Sequence, residues 1–289
     1  MPKVAIVTDS LACLTKELAE QYNVTIVPLS FLLQGKVYRD WVDISPTQAY
    51  ELFLQAPDSF ESSAPSPTDF LEAFRNARNR AANILCVTIS EKLSTTINVA
   101  RVAAEQVTTE IPGTFIKLLD SKTTTAATGH IVLAAGRAAA TEKEMAEVVK
   151  AAEEVRDKVN FVALLDTIKH VYRSGRIPKI ASQLGSLLHV KPVLSINPES
   201  DGMVRFIGIE RSHQNGMRRI IKYMKDAIGK SPVHVAVMHA YASDEAQKLK
   251  DVILSEFNCS EIWVTEFSPL MGYAVGTGTV GMAFYKDSI

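Results

Sequence analysis

Short apolar runs in this chain stop again and again at turns of small hydroxyl residues, the places where a buried strand gives way to a helix. Val4 to Val7 meets Thr8-Asp9-Ser10, Ile84 to Ile89 meets Ser90, and Phe115 to Leu119 meets Asp120-Ser121-Lys122-Thr123-Thr124-Thr125. A separate turn of similar composition runs from Ser62-Ser63 through Ala64-Pro65 to Ser66-Pro67. In parallel α/β sheets ligands collect beyond the carboxyl ends of the strands, and helix starts present free N–H groups that attract anions. Neutral donors gathered there point to a site for a small acid.

At 289 residues the chain is long for one core, so two domains meeting across a crevice are expected. Crevices of that kind are common ligand sites. With 31 Lys+Arg against 32 Asp+Glu there is no broad positive field, which argues against nucleic acid as a partner. No apolar run approaches the roughly 20 residues that span a bilayer, so stable membrane insertion is not expected. The start, Met1-Pro2-Lys3-Val4, enters a strand pattern directly and lacks the profile of a signal peptide. Cys13, Cys86 and Cys259 are too few and too scattered for a disulfide framework or a zinc ribbon, and a cytoplasmic location is expected.

Helix starts are legible where Ser45-Pro46-Thr47-Gln48 and Thr141-Glu142-Lys143-Glu144 fit the capping box and Ser66-Pro67-Thr68-Asp69 approximates it. With strands expected near 4–7, 24–29, 84–89 and 115–119 between helical patterns, the first half reads as an α/β domain with a mostly parallel sheet. Ala126–Ala140 suits a closely packed helix, and Thr141–Asp157 a charged one ending near Lys158. The domain boundary is placed there, giving domains 1–158 and 159–289. Beyond it, strands are expected at Phe161–Leu165, Val190–Ile196, Met203–Ile209, Val233–Ala240, Ile262–Phe267 and Val280–Tyr285, with helices near 212–228 and 243–257. The turn Asn197 to Gly202 signals a hairpin, so this half reads as α+β with a largely antiparallel sheet.

Several chemistries are excluded on the residues. Gly276-Thr277-Gly278-Thr279-Val280-Gly281 matches G-x-G-x-x-G literally, but only eight residues follow it, too few for the helix and acidic residue of a dinucleotide site. It reads instead as a turn where backbone approaches something closely. No phosphate loop and no nucleophile elbow exist. His130, His170, His189, His213, His234 and His239 are dispersed, without ligand spacing, so no metal and no cofactor are expected. Arg173-Ser174-Gly175-Arg176 places guanidinium groups on a glycine-shaped turn suited to carboxylate or phosphate, and Arg211 follows a strand. Among the hydroxyls, any single residue reads as an ordinary cap. Ser62, Ser63 and Ser66 in one turn, with Ser94, Thr95 and Thr96 opening the helix after Ser90, make a stronger accumulation.

At these residues the chain resembles the DegV family of fatty-acid-binding proteins, which serve bacterial fatty acid kinase. Thr8-Asp9-Ser10 is similar to the family's opening TDS, Ser62-Ser63-Ala64-Pro65-Ser66 to its TSQPS turn, and Ile89 to Thr96 to its ISxxLSGT segment. Asp120-Ser121-Lys122 resembles the DS-K/R turn, and Tyr172-Arg173-Ser174-Gly175-Arg176-Ile177 the YLxxGGRI segment, with Lys191-Pro192 and a glycine-rich C-terminal turn following in order. Departures are Ala64 for Gln, Thr95 for Gly and Ser174 for Gly, and the HTGPG histidine has no counterpart.

The resemblance implies a long-chain fatty acid in a tunnel chiefly within the C-terminal domain, its carboxylate near the interdomain edge. Ser62 and Ser94 carry over as carboxylate-binding hydroxyls, with Ser63, Thr95 and Thr96 beside them. Thr277 or Thr279 stands in for the missing histidine. Arg176 and Arg211 carry over as residues facing a fatty acid kinase. On this reading the protein is a carrier and no enzyme. Two alternatives stay open: a small-molecule enzyme related to dihydroxyacetone-kinase substrate domains, and a lipid-responsive regulator without a kinase.

Overall fold

The computed structural model describes residues 2–63, 66–168, 175–176 and 190–287. Its first half runs β1 (Val4–Asp9), α1 (Lys16–Gln21), β2 (Thr25–Val27), β3 (Ser30–Leu33), β4 (Lys36–Arg39), α2 (Pro46–Gln55) and β5 (Glu61–Ser62). It continues with α3 (Pro67–Arg78), β6 (Asn83–Thr88), α4 (Thr96–Glu110), β7 (Phe115–Asp120), α5 (Thr125–Ala140) and α6 (Met145–Arg156). The second half holds β8 (Asn160–Leu164), β9 (Lys191–Ile196), β10 (Arg205–Glu210), α7 (His213–Ile228), β11 (Val233–His239) and α8 (Ser243–Glu256), then β12 (Cys259–Glu266), α9 (Pro269–Val275) and β13 (Val280–Lys286).

The expected two-part α/β and α+β architecture is what forms. Strands β2-β1-β6-β7 make a four-stranded sheet, parallel throughout. Their carboxyl ends, with the hydroxyl turns, therefore share one edge. The six-stranded sheet runs β10-β9-β8-β13-β11-β12, antiparallel except for the β11–β12 pair. The Asn197–Gly202 turn joins β9 to β10 as a hairpin.

Between the two sheets lies α5, which packs on β1 and β6 on one side and on β11 and β13 on the other. Its alanines follow from that position, since a helix covered by both sheets has little room for large side chains. On the outer face of the parallel sheet Phe70, Phe74, Ala100 and Val107 of α3 and α4 bury Val7 and Ile84. Ile220, Met224 and Ile228 of α7 and Ala246, Leu249 and Ile253 of α8 recur at helical spacing and cover the outer face of the other sheet.

Four local features differ from the sequence reading. The strand expected at 24–29 ends early at Val27, because Pro28 has no N–H to continue a ladder, and a new strand, β3, starts just past the expected range at Ser30. That strand, β3, is the centre of a three-stranded antiparallel sheet of order β4-β3-β5 that the apolar pattern does not announce. Thr141 closes α5 rather than opening α6: its hydroxyl donates to the Ala138 carbonyl at 2.9 Å, and Glu142 takes a left-handed φ of +57° that ends the helix. The next helix starts at Glu144, whose N–H donates to Glu147 Oε2. Finally, α9 was not expected, although Ser268-Pro269 repeats the Ser-Pro start that opens α2 and α3.

Candidate functional site

A cavity of about 360 Å³ opens at the carboxyl edge of the parallel sheet, against the six-stranded sheet and α9. The volume falls in the range of ordinary small-molecule sites. Its apolar walls include Leu11, Leu29 and Ile89 from the turns after β1, β2 and β6, Phe161 and Leu194 from β8 and β9, and Met271 from α9. Ser62, Ser63, Ser94, Thr95 and Thr124 supply hydroxyls, and Glu91, Lys92 and Arg176 supply charge.

The turns are shaped by their own side chains. Asp9 is fully buried at the end of β1, where Oδ1 accepts the Leu11 N–H at 3.0 Å and Oδ2 the Ile89 N–H at 2.9 Å. Burial pushes its carboxyl up to about 6, against the pull of those two N–H groups. Ser10 Oγ accepts the Leu29 N–H at 3.1 Å. Three apolar wall residues thus hang from two adjacent side chains of the Thr8-Asp9-Ser10 turn. Ser121 works similarly, its hydroxyl lying 3.0 Å from that of Thr128 and donating to the Thr123 carbonyl at 3.1 Å.

Of the residues singled out from the sequence, Ser62, Ser63, Ser94, Thr95 and Arg176 border this one cavity, although they come from three separate segments. Ser62 ends β5 opposite Phe31, and Ser63 donates its N–H to the Ser30 carbonyl at 3.0 Å. Ser94 sits one residue ahead of Thr95, the N-cap of α4. Thr96 is buried behind Ser94, with the two hydroxyls 2.8 Å apart, and its own N–H donates to Ser94 Oγ at 3.3 Å. Arg176 Nε donates to the Leu93 carbonyl at 3.4 Å.

Other expected residues lie elsewhere. Thr279 is buried behind the wall and donates to the Val275 carbonyl at 3.1 Å, and neither it nor Thr277 lines the cavity. The Gly276–Gly281 turn is a close backbone approach: Gly278 has φ of +82°, and a Cβ there would lie 2.9 Å from Asp166 Cβ. Arg211 is exposed just beyond β10 and does not line the cavity. His239 accepts the Ala242 N–H at its own turn. Tyr172, Arg173, Ser174, Ile177, His170, His189, Ala64 and Pro65 lie outside the described residues.

Sequence reasoning missed Lys92 and Thr124 as lining residues, and with them the whole of α9. Thr124 Oγ1 donates to Met271 Sδ at 3.7 Å, joining the turn after β7 to α9. Next to it Thr125, β-branched and buried, holds a φ of +56°, a conformation that costs on the order of 1–3 kcal/mol. Among the described residues no group of three or more His, Cys, Asp or Glu is placed to hold a metal ion. Nor is any helix among them long and apolar enough to cross a membrane.

The cavity thus pairs apolar walls with a polar border of neutral hydroxyls, Glu91, Lys92 and Arg176. Fold and cavity define a protein of two main sheets around α5, whose ligand-sized space lies where its layers meet. The chain belongs to the DegV family, since the family model described as "Uncharacterised protein, DegV family" matches residues 3–287. A DegV domain-containing protein of Clostridium acetobutylicum is 29% identical over 288 residues, covering 99% of this chain and 100% of its own. The solved DegV family protein of Thermus thermophilus, described for its fatty acid binding, superposes with a TM-score of 0.88 at 28% identity over 99% of this chain and 100% of that one. A stearic-acid-binding protein of Eubacterium ventriosum shares the fold with a TM-score of 0.89 at 24% identity, covering 99% and 98%.

Proposed function

We propose that this protein binds a long-chain fatty acid in the cavity, holds its carboxylate at the Ser62, Ser63, Ser94 and Thr95 hydroxyls, and presents it to a separate fatty acid kinase. The observation that carries the reading is the convergence of those hydroxyls, from two distant segments, on one apolar cavity. Each methylene removed from water contributes about 0.8 kcal/mol, so a chain of about 15 of them gains on the order of 10 kcal/mol before ordering costs. Hydrogen bonds to a charged group add roughly 1.5–3 kcal/mol each. The hydroxyls therefore orient the acid while the walls supply most of the affinity. Neutral donors also leave a carboxylate oxygen free to attack a phosphoryl group, where a tight ion pair would mask it.

In this reading the protein is a cytoplasmic carrier without catalytic residues, Arg176 and Arg211 face the kinase, and the chain divides after Lys158. Thr96 and Thr279 act from behind, one on Ser94 and one on the end of α9. An enzyme acting through a covalent histidine has less support, because no histidine is among the described residues lining the cavity. Organic extraction of the purified protein followed by mass spectrometry tests the lipid. A long-chain acid in the extract is the expected result; an empty protein that also fails to take up added stearate overturns the reading. Arg176→Ala is expected to keep the lipid and lower acyl-phosphate formation with the kinase.

A further inference from the structure

Helix α9 supplies Leu270, Met271, Tyr273, Ala274 and Val275 to the cavity, yet the side chain that fixes its first turn belongs to the other half of the molecule. Ser268, the N-cap of α9, donates its hydroxyl to Asp40 Oδ2 at 2.6 Å while accepting the Leu270 N–H at 3.3 Å. Both residues are fully buried. Asp40 also donates its own N–H to the carbonyl of Leu29, another wall residue, at 2.8 Å. One residue thus touches two walls of the same cavity, one through its backbone and one through its carboxyl.

A carboxyl is a costly group to bury at this position. Oδ1 makes no hydrogen bond of good geometry, and an under-satisfied buried polar atom is destabilising, whereas an apolar side chain of similar size carries no such cost. Asp40 is followed by Trp41 at a φ of +64°, a conformation uncommon outside glycine, so the local backbone is strained as well. Neighbouring contacts reinforce the same attachment. Tyr50 of α2 donates to the Phe267 carbonyl at 2.9 Å, and Thr47 donates to Glu266 Oε2 at 2.6 Å. The chain leading into α9 is thereby tied at three successive points to the segment from Asp40 to Tyr50.

We propose that Asp40 is a positioning residue for lipid binding: through Ser268 it holds α9 against the turn at Leu29, and this attachment sets how slowly a bound acyl chain leaves. The inference rests on the fatty-acid reading of the cavity. Asp40 does not line the cavity, so its carboxyl acts on the ligand only through α9. What matters is a hydrogen-bond acceptor at the position of Oδ2, and an amide supplies one as well as a carboxylate does.

The test loads the full-length chain with stearate, adds excess deuterated stearate, and follows exchange by native mass spectrometry. Asp40→Ala is expected to exchange about tenfold faster, the equivalent of one lost hydrogen bond, and Ser268→Ala faster still, since it loses the Leu270 cap as well. Asp40→Asn and Ser268→Thr are expected to stay close to the unmodified rate, because each keeps its half of the bond. Should Asp40→Ala fail to fold, the near-isosteric Asp40→Leu, which removes the acceptor and keeps the Ser268 cap, decides the matter. Equal exchange in loaded Ser268→Ala and unmodified protein overturns the role. Equal acceleration in the conservative and alanine variants also overturns it, by assigning the effect to packing. Unmodified protein that takes up no stearate at all is a different result, which removes the lipid reading and this inference together.

Discussion

The hydroxyls of Ser94 and Thr96 lie 2.8 Å apart, one bordering the cavity and the other fully buried behind it. A buried hydroxyl in that position fixes the rotamer of its neighbour, so Ser94 meets a ligand already oriented. Ser94→Ala combined with Ser62→Ala is expected to weaken fatty acid retention by roughly ten- to a hundredfold, the loss of one or two charge-assisted hydrogen bonds. Thr96→Val is expected to produce a smaller loss with the same sign. Competition with a fluorescent fatty acid measures both variants.

Filling the cavity tests the walls independently of the head group. Ala274 lies on α9 and lines the space, so Ala274→Phe is expected to place a ring where the acyl chain runs. Bound lipid is expected to disappear from native mass spectra while the circular dichroism spectrum stays that of the unmodified protein.

Asp9 holds the N–H groups of Leu11 and Ile89 in a buried site, and Asp9→Ala leaves both without an acceptor. Each buried donor left unpaired costs about 1–3 kcal/mol. Urea unfolding is expected to show a loss on the order of 3 kcal/mol, with an unchanged slope.

The two buried carboxyls also set the pH dependence of stability. Burial raises Asp9 to about 6 and Asp40 to about 7, the latter against the hydrogen bond from Ser268. Both keep their protons in the folded chain at pH values where the unfolded chain has lost them. Their contribution is therefore full below about pH 4 and falls as pH rises through about 6 for Asp9 and about 7 for Asp40. Asp40→Asn removes the second of these losses. Its unfolding free energy from urea titration, relative to the unmodified protein, is expected to rise between pH 5 and pH 8 by an amount on the order of 2 kcal/mol.

Gly272 is the position on α9 where a side chain has no room, since a Cβ there would lie 2.2 Å from Tyr50 Cε1. Gly272→Ala is expected to destabilise the fold by about 1–3 kcal/mol through overpacking. Adding Tyr50→Leu is expected to recover part of that loss in thermal melts.

What was legible in the sequence was the alternation of apolar runs with hydroxyl turns, because strand, cap and helix start are local events. Ser45, Ser66 and Ser212 cap helices with their own side chains, and such contacts span three residues. That Ser62 and Ser94 share a site was legible only through resemblance, since no periodicity joins segments so far apart, and the same resemblance set Arg176 on a kinase-facing surface rather than at the cavity border. The Asp40–Ser268 bond was not legible at all. It crosses 228 positions, and neither residue stands out from its neighbours in composition. The small sheet of β3, β4 and β5 escaped for another reason: β4 is largely exposed, so its pattern of Lys36, Val37, Tyr38 and Arg39 carries no apolar stripe.

The six-stranded sheet takes its central member last. β13 lies between β8 and β11, so a chain emerging from the ribosome with everything through β12 holds two half-sheets and no ladder joining them. The space enclosed by α9 and the early turns at Leu11 and Leu29 is likewise complete only when translation has passed residue 275. In the fatty-acid reading, uptake therefore follows the synthesis of α9.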